Sequence, residues 1–468
     1  MMETRLESDS IGTLELESNA YYGVQSLRAK QNFGITNRKL RKEMIESLAQ
    51  IKMAAALCNS DIHTLDSEIA NKIVEACEMI IEGKYHDSFI VDPIQGGAGT
   101  STNMNANEVI ANIANVLMGG KCGEYNYVHP NDHVNMAQST NDVYPTAGKL
   151  TIIKLIDPCL YELERLVNAL QAKSIEFNDV FKMGRTQLQD AVPMRLGQSF
   201  KAYSNVIKRD ILRIKAVRKT MLTVNMGGTA IGTAINVDPE YLANIDKMLS
   251  YVVKEDICKA DDLIDATQNL DGFSEVSSAL KTCAINLSKM ANDLRLLSSG
   301  PKAGIGEINL PPKQNGSSIM PGKVNPVIPE VISQIAYNII GNDVTVTMAC
   351  EAGQMELNAF EPVLLDNIFE SITMLTNGVT TFIDNCIEGI TANKDKCQEY
   401  LDSSVGTITA VCPYLGYQEA AKLAKEALHS NQSVMVVLKN HHLFDDNQLQ
   451  EIMKINKMTD PTLLQSKY

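Results

Sequence analysis

Residues 273–297 read Phe-Ser-Glu-Val-Ser-Ser-Ala-Leu-Lys-Thr-Cys-Ala-Ile-Asn-Leu-Ser-Lys-Met-Ala-Asn-Asp-Leu-Arg-Leu-Leu. Along them Phe273, Val276, Leu280, Cys283, Leu287, Met290, Leu294 and Leu297 recur three or four residues apart, the period of one face of an α-helix. No glycine or proline interrupts the run, so nothing within it stops a helix. The same period returns in 198–224 through Tyr203, Ile207, Ile211, Ile214, Val217 and Met221, and in segments at about 149–177, 328–350 and 362–390. Five long amphipathic helices in mid-chain predict a mainly α protein built on a central long-helix bundle. Ala202, Ala216, Ala279, Ala284 and Ala291 widen the apolar faces beyond what a lone bundle buries, which predicts self-association.

Composition narrows the partners. The chain has 468 residues, 44% hydrophobic and 21% charged, an ordinary globular balance. Its net charge of −14 argues against nucleic-acid backbones and anionic membranes, while a few local cations can still draw a small anion. With no Trp and only 5% aromatics, platforms for stacked bases are not expected. The ten cysteines form no CxxC pair, and no run approaches 18 apolar residues. The N-terminal stretch to Asp9 is polar and lacks an apolar signal core. A cytoplasmic protein without membrane or nucleic-acid partners is expected.

The chemistry collects in polar breaks between helices. One is Gln95-Gly-Gly-Ala-Gly-Thr100, and a second is Gln138-Ser-Thr-Asn-Asp-Val-Tyr-Pro-Thr146. A third is Gly184-Arg-Thr-Gln-Leu-Gln-Asp190, and the fourth is Gly316-Ser-Ser-Ile-Met-Pro-Gly-Lys-Val-Asn325. Thr100, Ser139, Thr140, Asn141, Thr186 and Gln187 are read as lying where a helix is about to begin, and any one of them could be an N-cap. Three polar side chains in a row exceed what a cap needs, whereas a dicarboxylate needs many neutral donors and a cation or two. Ser317, Ser318 and Lys323 supply hydroxyls and a fixed charge on one mobile loop. That loop is no phosphate-binding P-loop, because five residues separate Gly316 from Gly322 and Val324 follows the lysine. His129 and His133 stand four apart, but Pro-Asn-Asp between them favours a turn and no third ligand follows, so no metal is expected. Dinucleotide and pyridoxal signatures are absent, so no organic cofactor is expected.

Taken in order, these loops resemble the aspartase/fumarase superfamily. Gly316 to Pro326 resembles its signature, and Ser139-Thr-Asn-Asp142 and Gly184 to Asp190 resemble its other two characteristic regions. The likeness runs from Ala20-Tyr-Tyr-Gly-Val24 through Asn292 to Pro301 and on to Gly389-Ile-Thr-Ala-Asn393. The wording Gln-Ser-Thr-Asn-Asp-Val-Tyr-Pro-Thr and Leu-Leu-Ser-Ser-Gly-Pro is closer to the aspartate ammonia-lyases than to the class II fumarases. The resemblance implies a three-domain, mostly helical subunit, here divided at 1–140, 141–392 and 393–468. It implies a homotetramer around a helical core, with each active site assembled from loops of three chains. The implied reaction is reversible anti elimination of ammonium from L-aspartate to give fumarate. By matching positions, Ser317 would be the general base. Thr100, Ser139, Thr140 and Ser318 would meet the β-carboxylate, Thr186, Lys323 and Asn325 the α-carboxylate, and Asn141 with Gln187 the amino group.

Position 187 tilts the chemistry towards amine elimination, although superfamily members with either residue there can share one activity. Many superfamily members carry His there, and Glu330 resembles the acid that pairs with it. Gln187 cannot titrate, which would hurt departure of hydroxide and matter little for ammonium, since that group leaves already protonated. Class II fumarase is the nearest other activity. A structural or regulatory member without activity is the alternative of another class, opposed by the intact Ser317, Lys323 and Asn325.

Overall fold

The computed structural model describes residues 3–460. Strands β1 (Thr4–Ser8) and β2 (Thr13–Glu17) form an antiparallel hairpin. Helices α1 (Val24–Asn32), α2 (Lys42–Asp61), α3 (Ser67–Ile81), α4 (Thr100–Leu117) and α5 (Thr140–Glu176) follow. A second hairpin, β3 (Phe181–Thr186) with β4 (Gln189–Arg195), leads into α6 (Leu196–Thr220). The short β5 (Thr223–Val224) and β6 (Cys258–Lys259) pair in parallel across α7 (Pro239–Val253). Next come α8 (Leu263–Gln268), α9 (Asp271–Leu297), β7 (Ile308–Asn309), α10 (Val327–Glu351), α11 (Glu361–Asn385) and β8 (Thr391–Ala392), which pairs with β7. Six shorter helices end the described chain: α12 (Lys394–Ser403), α13 (Cys412–Leu415), α14 (Tyr417–Ser430), α15 (Val434–Asn440), α16 (Asp446–Ile452) and α17 (Ile455–Thr459). Among the described residues every sheet has two strands, and the fold is mainly α as the periodicity requires.

The stretch 273–297 falls inside α9, and Phe273, Val276, Leu280, Cys283, Leu287, Met290 and Leu294 are all buried. Each large apolar side chain so buried contributes about 1.5–3 kcal/mol. Ala279, Ala284 and Ala291 are buried with them, whereas Ala202 and Ala216 on α6 are exposed.

Three boundaries differ from expectation. The segment expected from about 149 begins at Thr140, although Pro145 lies within it. Proline offers no N–H to the carbonyl four residues back. Here that carbonyl, of Asn141, instead accepts from Asn225 Nδ2 at 2.9 Å, so the turn survives. The helix expected over 198–224 ends at Thr220, because Thr223 and Val224 are drawn into pairing with Cys258 and Lys259. The one expected to reach 390 ends at Asn385, and a tight turn over Ile387–Gly389 delivers the chain to β8.

Two compact units share the chain. One comprises the residues up to Tyr161, Ile211–Ala284 and Tyr337–Thr376; the other comprises Glu162–Asp210, Ile285–Ala336 and the residues from Asn377 onward. In the first, α2 packs on α3 and α7 through Leu48, Ile51, Ile73, Ile80, Tyr241 and Ile245, all fully buried. In the second, Leu166, Leu170, Phe200, Ile207, Met290, Leu294 and Phe382 are fully buried. Within that second unit Val411, Leu423, Ala427, Val434, Val437, Leu438 and Leu449 form a cluster of their own near the end of the chain. Residues 1–2 and 461–468, which belong to the expected terminal domains, lie outside the described residues.

Candidate functional site

In the first unit the candidate residues stand at the starts of α4 and α5. Thr100 is the first residue of α4, and Gly99 before it has φ +87°, a left-handed conformation that favours glycine. A Cβ on Gly99 would also stand 2.4 Å from the ring of Tyr144, which is buried. The Thr100 hydroxyl donates to Gly97 O at 2.7 Å, and its oxygen remains open to a donor.

Ser139, Thr140 and Asn141 are held from beneath by a buried polar network. The Asp142 carboxylate accepts from Ser139 N–H at 2.9 Å with one oxygen. With the other it accepts from Gly227 and Thr229 N–H, each at 3.1 Å. Asn141 Nδ2 donates to Ala230 O at 2.7 Å. Asn103, one turn along α4, donates to Thr140 Oγ1 and to Asn135 Oδ1, both at 3.2 Å. Lys52, without exposed surface, donates from α2 to Asn135 Oδ1 and Gln138 Oε1, both at 2.9 Å. Burial pushes the Asp142 carboxyl up to about 6 and the Lys52 ammonium down to about 7, and each charge partly offsets the cost of the other.

In the second unit Thr186 and Gln187 do not precede a helix, contrary to expectation. They stand at the tip of the β3–β4 hairpin, exposed, and α6 begins only at Leu196. Thr186 pairs with Gln189, so Gln187 and Leu188 form a two-residue turn, with φ of +55° and +63°. Both signs are those of a type I′ turn, which usually recruits Asn and Gly.

The loop carrying Ser317, Ser318, Lys323 and Asn325 closes on itself. Gly316 N–H donates to Lys323 O at 2.8 Å, and Asn325 Nδ2 donates to Gly316 O at 2.7 Å. A Cβ on Gly316 would stand 2.5 Å from Lys323 O, so the closure needs glycine there. Ser317 Oγ accepts from Met320 N–H at 2.9 Å and from Ile319 N–H at 3.2 Å. Two backbone donors on one hydroxyl oxygen favour its deprotonated form. Ser318 and Lys323 are exposed, and Ser317 and Asn325 are half-buried. Glu330, half-buried, has Arg295 as a neighbour at 4.0 Å.

His129 and His133 do not face a common point. His129 Nδ1 accepts from Asn131 and Asp132 N–H at 3.3 and 3.2 Å, and His133 Nδ1 accepts from His129 N–H at 3.0 Å. Lys52, Asn103, Asn225 and the role of Asp142 escaped the sequence reading. Lys52 had a signal, a lone cation amid the small apolar residues of α2, and Asp142 stood inside a quoted motif.

A family model described as lyase matches residues 12–341, and one described as fumarase C C-terminus matches 408–460. The chain is 52% identical to the aspartate ammonia-lyase of Bacillus subtilis (strain 168), over 98% of this chain and 97% of that one. The chain belongs to the aspartase/fumarase superfamily. Superfamily members of known structure match its fold closely. A fumarate lyase:delta crystallin from Brucella melitensis aligns with TM-score 0.95 at 45% identity, covering 98% of this chain and all of that one. The class II fumarase of Schistosoma mansoni aligns over the same shares with TM-score 0.94 at 33% identity. Among the described residues no helix is long and apolar enough to cross a membrane.

Proposed function

We propose that this chain is an aspartate ammonia-lyase, eliminating ammonium from L-aspartate to give fumarate, reversibly and in anti fashion. Identity of 52% to an enzyme of that name, against 33% to a class II fumarase, favours the amine over the hydroxyl substrate. Ser317, as the alkoxide, takes the proton from Cβ, leaving a dianionic aci-carboxylate. The Cα–N bond then breaks, the Cα–Cβ double bond forms and ammonium departs. Stabilising the aci-carboxylate is the largest demand, met by donors already in place. Thr100, Ser139, Thr140 and Ser318 hold the β-carboxylate, and Thr186, Lys323 and Asn325 the α-carboxylate. Asn141 and Gln187 hold the amino group, and Gln187 supplies no proton because none is needed.

The observation that carries this reading is the pair of backbone N–H groups on Ser317 Oγ. A free serine is too weak a base for a carbon acid, and donors to its oxygen, with the Lys323 charge on the same loop, lower its pKa. The protein works as a cytoplasmic homotetramer of three-domain subunits divided at 1–140, 141–392 and 393–468, with sites shared between chains. Leu212 on α6 and Tyr337, Val344 and Met348 on α10 are each more than half exposed, as residues awaiting a sibling chain would be. The test is ultraviolet detection of fumarate from L-aspartate and from L-malate. Turnover of L-aspartate with little of L-malate is expected; a malate rate equal to or above the aspartate rate overturns the assignment.

A further inference from the structure

Arg185 immediately precedes Thr186 and Gln187, and its Nη1 lies 2.7 Å from Oε1 of Glu307, a carboxylate with no exposed surface. Lys182 Nζ lies 2.9 Å from Oε2 of the same group. In a regular strand residues three apart face opposite ways. A register shift between Met183 and Arg185 adds local twist, which lets both cations reach one carboxylate. The Glu307 backbone is fixed as well: its N–H donates to Leu297 O at 2.8 Å, and its carbonyl accepts from Asn393 N–H at 2.9 Å. The Arg185 guanidinium lies 5.4 Å from the Tyr400 ring centroid, and the Tyr400 hydroxyl donates to Gly304 O at 3.2 Å.

We propose that Glu307 is a positioning residue which, through Arg185 and Lys182, fixes the hairpin tip that presents Thr186 and Gln187 to substrate. The inference rests on the reading of that tip as part of the substrate site. A type I′ turn made of Gln187 and Leu188 carries a strain that persists only where its surroundings hold it. The buried ion-pair triad at the base of the hairpin is that hold, since contacts between ionised groups are shorter and stronger than neutral ones and the carboxylate that both cations share has a fixed backbone.

KM and kcat for L-aspartate are measured in Thr186→Ala and Glu307→Gln. Both variants should raise KM by about tenfold or more with a smaller change in kcat, as small misplacements of binding groups do. The chain has no Trp, so Leu188→Trp places a single fluorophore on the exposed tip. Its anisotropy should fall when Glu307→Gln is added, while assembly and helical circular dichroism stay unchanged. If Thr186→Ala leaves KM unchanged, the substrate reading of the tip fails and the inference falls with it. If Thr186→Ala raises KM but folded Glu307→Gln keeps wild-type KM and anisotropy, the positioning role alone is overturned. Should Glu307→Gln not fold, Arg185→Lys, which keeps the cation and loses the planar guanidinium that reaches Glu307 and lies by Tyr400, is read in the same way.

Discussion

Ser317 and Asp142 carry the most exposed expectations at the scale of single residues. Ser317→Ala removes the atom that takes the Cβ proton, while Ile319 and Met320 N–H remain free to bind water. Loss of a general base costs on the order of 10²–10⁴-fold, and an oxygen base attacking a carbon acid belongs at the upper end. Steady-state fumarate formation by an assembled variant checks it, and more than about a tenth of wild-type rate would place the base elsewhere. Asp142 holds Ser139, Gly227 and Thr229 only as the carboxylate, with a pKa near 6. Activity on L-aspartate should therefore decline as pH falls through about 6. The same group does not drive acid unfolding. Its folded pKa exceeds the unfolded value of about 3.9, so its stabilising contribution is complete below that value and lost as pH rises through the folded one. The pH–rate profile of wild type should carry an acidic limb near 6 that Asp142→Asn, itself weak, lacks, and an unchanged limb in the variant would assign it to another group.

At the scale of elements, α1 shows how a helix end is satisfied from afar. No side chain at its own N-cap serves it. Instead Glu108, on α4, accepts from Gly23 and Gln25 N–H at 2.9 Å and from Ser26 N–H at 3.1 Å, and Glu7 accepts from Val24 N–H at 3.0 Å. Glu108→Gln cannot accept all of these and should lose about 1–3 kcal/mol, seen as a lower urea midpoint with kcat retained. Partnerships of this kind set the limit of what the sequence discloses. The long helices were legible because period and length are local properties, and the seven deeply buried side chains of α9 follow from its pattern alone. The polar loops were legible by composition and by resemblance. Helix ends were less so, since Pro145 ends a helix on local rules and is tolerated only because Asn225 arrives from far along the chain. The hairpin tip was misread for a related reason: Gln and Leu are poor turn formers, and the hold on them sits at Glu307.

For the whole molecule the question is how many chains make one site. If sites are shared, one inactive variant altered at Ser317 and another at Thr186 should complement each other when mixed and reassembled. Some sites in mixed tetramers then draw both intact loops from different chains, while others collect both defects, so partial activity is expected. Mass spectrometry of the mixture establishes that subunits have exchanged. Mixed tetramers that remain inactive would show that these two loops act from one chain. Leu212, Tyr337, Val344 and Met348 are each more than half exposed, and assembly of the proposed kind would cover them.

The meeting of Gly99 with Tyr144 has a consequence for how this sequence can drift. Two demands coincide at position 99, a left-handed backbone and an α-carbon with nothing attached, and the second is imposed by a ring on another helix. Asparagine would tolerate the first demand and violate the second. A smaller residue at 144 would lift the second and leave the first. The dependence thus runs one way: position 144 can shrink while Gly99 stays, whereas Gly99 can change only in lineages where 144 is already small, and then to a residue that tolerates the left-handed backbone.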